Sequence, residues 1–115
     1  MFSHNVQVYL APGPTDLRKS IDGLSILVEN QMELSPFSGY LFAFCNRKRT
    51  TVKILYWDRN GFCLWMKRLE SQTFQWPDEK AASLCISNRE LNWLLDGLNL
   101  HQRRAHRSLQ FSCVS

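Results

Sequence analysis

Two β-rich runs separated by a short turn impose the strongest constraint on this chain. Residues 51–58 (TVKILYWD) and 62–70 (FCLWMKRLE) flank Arg59-Asn60-Gly61. An Asn-Gly step between two such runs is a strong signal for a β-hairpin. With an even-numbered loop, one face of this hairpin carries Val52, Ile54, Tyr56, Cys63, Trp65 and Lys67. The opposite face carries Lys53, Leu55, Trp57, Phe62, Leu64, Met66 and Arg68.

Both faces of the predicted hairpin are therefore largely apolar, whereas a sheet with one solvated side shows polar residues on that side. Either a helix covers each face, or one face is an interface with another molecule. Because the rest of the chain supplies two helical patterns, burial by helices is the favoured interpretation.

The segment before the hairpin predicts a strand, a helix and a second strand. Residues 6–10 alternate between apolar and polar side chains, and Pro12-Gly13-Pro14 is expected to end this strand. Thr15 occupies the position of an N-cap, and apolar residues at helical spacing continue the helix to about Gln31. The next strand is predicted at residues 40–46.

The segment after the hairpin predicts a short edge strand and a second helix. Residues 73–76 form the candidate edge strand, and residues 78–84 have the composition of a polar connector. Ser87 and Glu90 have the spacing of a capping box, which predicts a helix N-terminus, and Gly97 is a plausible C-terminal stop. The apolar stripe of this helix consists of Leu91, Leu94, Leu95 and Leu98.

The predicted fold class is α+β, with a mainly antiparallel sheet of four to five strands and two packed helices in the order β-α-β-β-β-β-α. The 115 residues, 44% of them hydrophobic, suit a single globular domain over residues 1–100. Residues 101–115 are predicted to be a basic, loosely ordered tail. Neither a membrane-spanning apolar run nor the layout of a signal peptide is evident, so we expect a cytoplasmic protein without a membrane partner.

The distribution of charge is more informative than the net charge of +4. Three arginines of the tail, Arg103, Arg104 and Arg107, contribute most of the excess and have no acid among them. A second basic cluster lies in the turn before the hairpin and consists of Arg47, Lys48, Arg49 and Lys53. Basic clusters of this kind are typical of nucleic-acid-binding proteins, but many solvated protein surfaces have them too.

Aromatic residues close to the basic turn offer a second way to bind nucleic acid. Tyr56, Trp57 and Trp65 could stack on unpaired bases, whereas Arg47, Lys48, Arg49 and Lys53 would contact phosphates. Aromatic side chains at strand spacing are more often core residues than stacking platforms, so the core interpretation is favoured here.

Arg18 and Lys19 fall in the first turn of the first predicted helix, where the helix dipole disfavours cations. One interpretation is an anion site, because free helix N–H groups and two cations together would bind a phosphate. The other is local pairing of Arg18 with Asp22, four residues further along the helix. The sequence leaves both open.

Catalysis has weak support in the sequence. Carboxylates for a metal-dependent phosphoryl transfer would have to come from Asp16, Asp22, Asp58, Glu70, Glu90 and Asp96, several of which have simpler structural explanations. No nucleophile elbow, P-loop or HExxH spacing appears, and the cysteines and histidines lack metal-site spacing. We therefore expect no enzyme activity, metal, cofactor or small-molecule substrate.

Three stretches in order, GPTDLRKSIDGL, VKILYWDRNGFCLWMKRLE and FQWP, resemble the small TnpB accessory protein of the insertion sequence sixty-six family of bacterial transposons. The resemblance spans residues 6–98. The family's Arg-Lys pair falls on Arg18 and Lys19, and its Lys-Arg-Leu-Glu falls on residues 67–70. Thr50 and Thr51 stand where the family usually has an Asp-Arg-like pair. The resemblance implies an accessory factor in transposition that acts beside a separate, larger transposase.

The leading hypothesis from the sequence is an accessory protein that binds DNA, with transposon ends as its target. The residues expected to face phosphates are Arg18, Lys19, Arg47, Lys48, Arg49, Lys53, Lys67 and Arg68. The alternative is an adaptor that does not bind DNA and docks through an apolar sheet face on the transposase or another transposon-encoded protein. DNA binding would weaken steeply with salt, and apolar docking would not.

Overall fold

A computed structural model describes residues 6–100 and shows an α+β fold. Residues 1–5 lie outside the described part, and so do residues 101–115, which were predicted to form the basic tail. Five strands form one sheet in the order β4-β3-β2-β1-β5. The elements are β1 (Val8–Pro14), α1 (Ile21–Asn30), β2 (Leu41–Cys45), β3 (Thr51–Asp58), β4 (Gly61–Arg68), β5 (Leu84–Ile86) and α2 (Asn88–Leu95). The predicted order of helices and strands is confirmed.

The sheet is mixed rather than purely antiparallel. β1 and β2 run parallel and are connected through α1, whereas β2–β3, β3–β4 and β1–β5 are antiparallel pairs. A parallel pair needs a crossover connection of a dozen or more residues, and the segment that contains α1 provides it. As a result, β1 and β2 both end at the same edge of the sheet.

The β3–β4 hairpin has the predicted register and faces. Ile54 pairs with Trp65, and Asp58 pairs with Gly61, so the loop contains only Arg59 and Asn60. Arg59 adopts a positive φ of 58°, the backbone region that two-residue hairpin loops of this kind require. Gly61 is therefore the first residue of β4 and not part of the loop.

Each face of the sheet is covered by one helix, as the burial interpretation predicted. Leu91, Leu94 and Leu95 of α2 pack with Phe74 and Trp76 over one face. Leu24, Val28 and Met32, from α1 and the residues after it, pack over the other face. We call these the α2 face and the α1 face.

β1 is longer than predicted, because it continues through Pro12-Gly13-Pro14. Beyond Leu10, β5 no longer pairs with β1, so the prolines need not donate to a neighbour on that side. The β1–β2 register shifts between Leu10 and Pro14, so the ladder is irregular there. Gly13 has a φ of 74° there, and its N–H donates to the carbonyl of Pro77 at 2.9 Å.

α1 starts later than predicted, so Thr15 is not its N-cap. Thr15 instead donates its backbone N–H to the carbonyl of Cys45 at 2.8 Å, which holds this segment against the end of β2. The helix begins at Ile21, with Ser20 as an N-cap whose side chain makes no capping hydrogen bond. The expectation that Arg18 and Lys19 lie in the first helical turn is therefore wrong.

The fifth strand is also not the predicted one. Residues 73–76 do not form a strand, although Phe74 and Trp76 are buried. The fifth strand instead comes from Leu84–Ile86, within and just after the segment predicted to be a connector. The capping box of Ser87 with Glu90 is confirmed. Leu98 is 40% exposed and so lies outside the buried stripe of α2.

Candidate nucleic-acid interface

A cleft of about 730 Å³ lies at the edge of the sheet where β1 and β2 end. The loop after β1 forms one wall and contributes Asp16, Leu17 and Arg18. The turn after β2 forms another wall and contributes Asn46, Arg47 and Lys48, and the floor contains Thr51, Lys53 and Met66. Parallel pairing brings the two loops together, since Pro14 and Cys45 are partners in the ladder.

The loop after β1 is organised by Asp16. Its Oδ1 accepts the backbone N–H of Arg18 at 3.1 Å, and its carbonyl accepts the N–H of Lys19 at 3.3 Å. An Asp side chain that bonds to the backbone two residues on favours a turn over a helix. This turn explains why α1 does not begin directly after Thr15.

Arg18 forms a two-pronged ion pair with Asp16 and does not pair with Asp22. Its Nε lies 3.0 Å from Oδ1 of Asp16, and its Nη2 lies 2.8 Å from Oδ2. These hydrogen bonds from the Arg18 side chain are the main reason why the pKa of Asp16 falls to about 2. The Arg18 side chain is 91% exposed, so this pair is solvated and accessible from the cleft.

Lys53 links the floor of the cleft to the loop after β1. Its Nζ donates to the carbonyl of Leu17 at 2.7 Å. Lys53 lies on the α1 face of β3, opposite Met66 of β4. The lysine is half-buried, so it contributes both a charge in the cleft and a contact that holds the loop.

The turn after β2 is held by Asn46, a residue that the sequence analysis did not single out. Asn46 Oδ1 accepts the N–H groups of Thr50 at 2.9 Å and Thr51 at 3.1 Å, which closes the turn. Arg47 and Lys48 are exposed at its tip. The signal for this role is the position of an Asn at the start of a short turn, where its side chain commonly bonds to the backbone.

Arg49 occupies the other side of the same turn. Its φ is 60°, and its carbonyl accepts the N–H of Phe74 at 2.7 Å. It lines two smaller pockets, of about 140 and 170 Å³, that include Trp76 and Pro77. Arg49 therefore does not line the main cleft with Arg47 and Lys48.

The remaining three predicted cations lie elsewhere. The stem of Lys19 packs against Gly23 of α1, outside the lining of the cleft. Lys67 points to the α2 face, where its Nζ donates to the carbonyl of Leu95 at 2.8 Å. Arg68 lies on the α1 face opposite Thr51 and pairs with Glu70 at 3.0 Å. The structure thus brings together four of the eight predicted cations: Arg18, Arg47, Lys48 and Lys53.

The aromatic residues lie away from the cleft. Tyr56 and Trp65 pack against the core of the α2 face. Trp57 contacts Phe37 and Phe62, with ring centroids 5.1 and 5.0 Å apart. Trp57 is four residues from Lys53 on β3, which corresponds to about 13 Å along a strand. Within residues 6–100, the side chains that line the cleft include no aromatic one.

The described residues contain no cluster of three His, Cys, Asp or Glu side chains that would hold a metal ion. Asp16 and Asp58, which would be the first candidates for a metal-dependent reaction, lie at different ends of the sheet: Asp16 is beside the cleft, and Asp58 begins the β3–β4 turn. Between residues 6 and 100, no helix has the length and apolar character needed to cross a membrane.

Comparisons with known proteins agree with the resemblance seen in the sequence. The model of the family described as IS66 Orf2 like protein matches residues 6–105. The uncharacterized protein y4hO of Sinorhizobium fredii is 36% identical over 95 residues, which cover 83% of each chain. A second uncharacterized protein of that bacterium, y4jC, is 32% identical over 97 residues, which cover 84% of this chain and 83% of the other. No solved structure matches the chain significantly. The chain therefore belongs to the IS66 Orf2-like family of transposon accessory proteins.

Proposed function

We propose that this accessory protein binds the phosphate backbone of transposon DNA in the basic cleft and thereby assists a separate transposase. The observation that supports this most directly is the convergence of four cations from three separate segments. Arg18 comes from the loop after β1, Arg47 and Lys48 from the turn after β2, and Lys53 from β3. Cations that converge on an open cleft suit a polyanion better than cations scattered over a surface.

The ion pair of Arg18 with Asp16 is compatible with this role. Exposed ion pairs contribute little to stability, so Arg18 can exchange Asp16 for a phosphate at small cost. Its planar guanidinium can bind a phosphate through two parallel hydrogen bonds.

Contacts of this type position a protein on DNA without reading its sequence. Among the described residues, the lining of the cleft includes no aromatic side chain to stack on a base and few groups that would reach base edges. The proposed contribution is therefore mainly electrostatic, and the protein acts as a non-catalytic DNA-binding factor.

The test is fluorescence anisotropy with a labelled transposon-end duplex and a shuffled duplex, at low and at physiological salt. The double variant Arg47→Ala with Lys48→Ala should weaken binding about tenfold or more at low salt, with a shallower salt dependence. The matched control is Lys80→Ala with Arg89→Ala, which removes two exposed cations outside the cleft. An equal loss of DNA affinity in both double variants would indicate only a general effect of net charge and would contradict binding in the cleft.

The second candidate function is an adaptor that docks on the transposase without contacting DNA. Exposed apolar side chains favour it, above all Phe37 and Met66, each 58% exposed. An adaptor would show no DNA binding even at low salt, and its association with the transposase would depend little on salt.

A further inference from the structure

β4 is an edge strand of the sheet, and no described strand pairs with its outer side. It is the first strand in the sheet order and pairs only with β3 among the described residues. Asp58 and Gly61 flank a two-residue loop, so they exchange hydrogen bonds, and every second pair along the ladder does the same. The N–H and C=O groups of Phe62, Leu64 and Met66 therefore point away from β3.

Proteins usually protect such an edge with charges, a proline, a bulge or a very short strand. β4 has eight residues, and its register with β3 is continuous from Gly61 to Arg68, without a bulge. Residues 62–66 (FCLWM) contain neither a charge nor a proline. An apolar, regular edge of this length is suited to pairing with another strand.

We propose that β4 pairs in antiparallel orientation with β4 of a second copy of this chain, around a two-fold axis at Leu64. The sheet then continues across the axis as a ten-stranded sheet. Leu64 faces Leu64 of the second copy, and Phe62 faces Met66 of the second copy. A two-fold arrangement of this kind is self-complementary and closes after two subunits.

Two exposed apolar side chains support this register. Phe37 and Met66 are each 58% exposed, and both lie on the α1 face near opposite ends of β4. Phe37 packs on Phe62 with ring centroids 5.3 Å apart. Because Phe62 would face Met66 of the second copy, that methionine would lie beside Phe37. The pairing would thus cover both exposed residues in both copies, with one methionine–aromatic contact on each side of the two-fold axis.

The charges of β4 favour the antiparallel direction. Lys67 and Arg68 stand at the C-terminal end of the strand. Antiparallel pairing places these cations of the two copies at opposite ends of the interface, whereas parallel pairing would place them side by side. Like charges directly opposite each other on paired strands are destabilising.

The test is the mass of the protein in solution without DNA, measured by analytical ultracentrifugation over a range of concentrations. The chain has a mass of 13.5 kDa, so a dimer has twice that mass, about 27 kDa. We expect a dimer that dissociates on dilution. A monomer at all concentrations, or assembly that continues beyond two copies, would overturn the proposal.

Two variants of Met66 test whether the dimer interface lies at the edge of β4. Met66→Lys puts a charge at an exposed edge position and should raise the dissociation constant of the dimer about a hundredfold, since the change occurs twice. Met66→Pro removes an N–H that points away from β3, so it blocks pairing without removing a bond within the chain. Ile26→Lys is the control, because Ile26 is 54% exposed on α1. A dimer that persists in both Met66 variants contradicts the proposed edge.

The register has its own test, which does not depend on disrupting the dimer. In a hydrogen-bonded antiparallel pair the two Cα atoms lie about 5.5 Å apart, a separation that a disulfide can span. Leu64→Cys should therefore form a cross-linked dimer with oxidised glutathione on a non-reducing gel. The unchanged chain is the control, because its Cys63 would face Trp65 of the second copy. A dimeric Leu64→Cys protein that does not cross-link would contradict the axis at Leu64.

Discussion

The two faces of the sheet differ in how completely they are covered. On the α2 face, α2 and residues 74–77 close the layer, and Val52 and Ile54 beneath them are fully buried. On the α1 face, α1 covers Phe42, Phe44 and Leu55 but leaves Met66 exposed. The α2 face supplies most of the core. The incompletely covered α1 face carries the basic cleft and the exposed side chain of Met66 on the edge strand β4.

Lys53 and Lys67 show the same difference at the level of single side chains. They lie on neighbouring strands, and each donates from Nζ to a backbone carbonyl. Lys67, on the α2 face, bonds to the last turn of α2, where a cation also complements the helix dipole. Lys53, on the α1 face, bonds to the loop beside the cleft. The comparison predicts that Lys67 supports the fold, whereas Lys53 supports both the fold and DNA binding.

The largest change in stability should come from truncating a core side chain of the α2 face. Phe74 is fully buried in the α2-face core, so Phe74→Ala should lower the free energy of unfolding by about 3–5 kcal/mol. Ile26→Ala is the control, since Ile26 is 54% exposed on α1, and it should cost less than about 1 kcal/mol. Urea unfolding measures both values. Similar losses for the two variants would contradict the difference between the faces.

The next effect separates the two lysines. Lys67→Met should lower the free energy of unfolding by about 1–2 kcal/mol, because the carbonyl of Leu95 loses a charged donor. Its DNA affinity should be unchanged. Lys53→Met should also weaken DNA binding, by about threefold to tenfold. Anisotropy at low salt measures the DNA affinity, and urea unfolding measures the free energy of unfolding. A loss of DNA affinity in Lys67→Met would contradict the proposed difference between the two lysines.

The helices that cover the two faces begin differently. Ser87 caps α2, with its side chain accepting the N–H of Glu90 at 3.0 Å, whereas the Ser20 side chain makes no capping bond to α1. Ser87→Ala should therefore lower the free energy of unfolding by about 1 kcal/mol. Ser20→Ala should leave it nearly unchanged. Thermal unfolding compares them, and an equal loss in both would show that Ser20 caps α1 in solution.

The parts of the fold that depend on neighbours in sequence were predictable. The β3–β4 register follows from alternation and a short loop, and the capping box follows from the spacing of Ser87 and Glu90. Contacts between distant segments were not predictable. Leu84–Ile86 is too short to stand out as a strand and forms one only because β1 offers an edge.

The candidate site shows the same limit. The sequence singles out the cations but does not indicate which of them meet. Arg18 and Arg47 share a cleft because β1 and β2 are parallel and end at one edge, and the sequence did not indicate this one parallel pair in a mainly antiparallel sheet. Lys67 and Arg68 were both expected to face phosphates, although the predicted hairpin already placed their side chains on opposite faces.

The smallest effect concerns the acid within the cleft. Asp16→Asn removes a negative charge beside the proposed phosphate site and releases Arg18, so we expect DNA to bind about threefold more tightly at low salt. Anisotropy with the same duplex measures this change. Asp78→Asn is a control for the loss of an exposed acid outside the main cleft. Weaker binding by Asp16→Asn would mean that Asp16 positions Arg18 for phosphate rather than competing with it.

The same variant makes a prediction about pH. The pKa of Asp16 is about 2 in the folded chain, below its usual 3.8, because Arg18 stabilises the carboxylate. A lowered pKa means that the ionised form favours folding, so this stabilisation is present above about pH 4 and is lost as the pH falls toward 2. The difference in melting temperature between the parent and Asp16→Asn should therefore shrink over that range. A difference that stays constant down to pH 2 would show that Asp16 acts through its hydrogen bond to the backbone of Arg18, which Asn can replace only in part, and not through its charge.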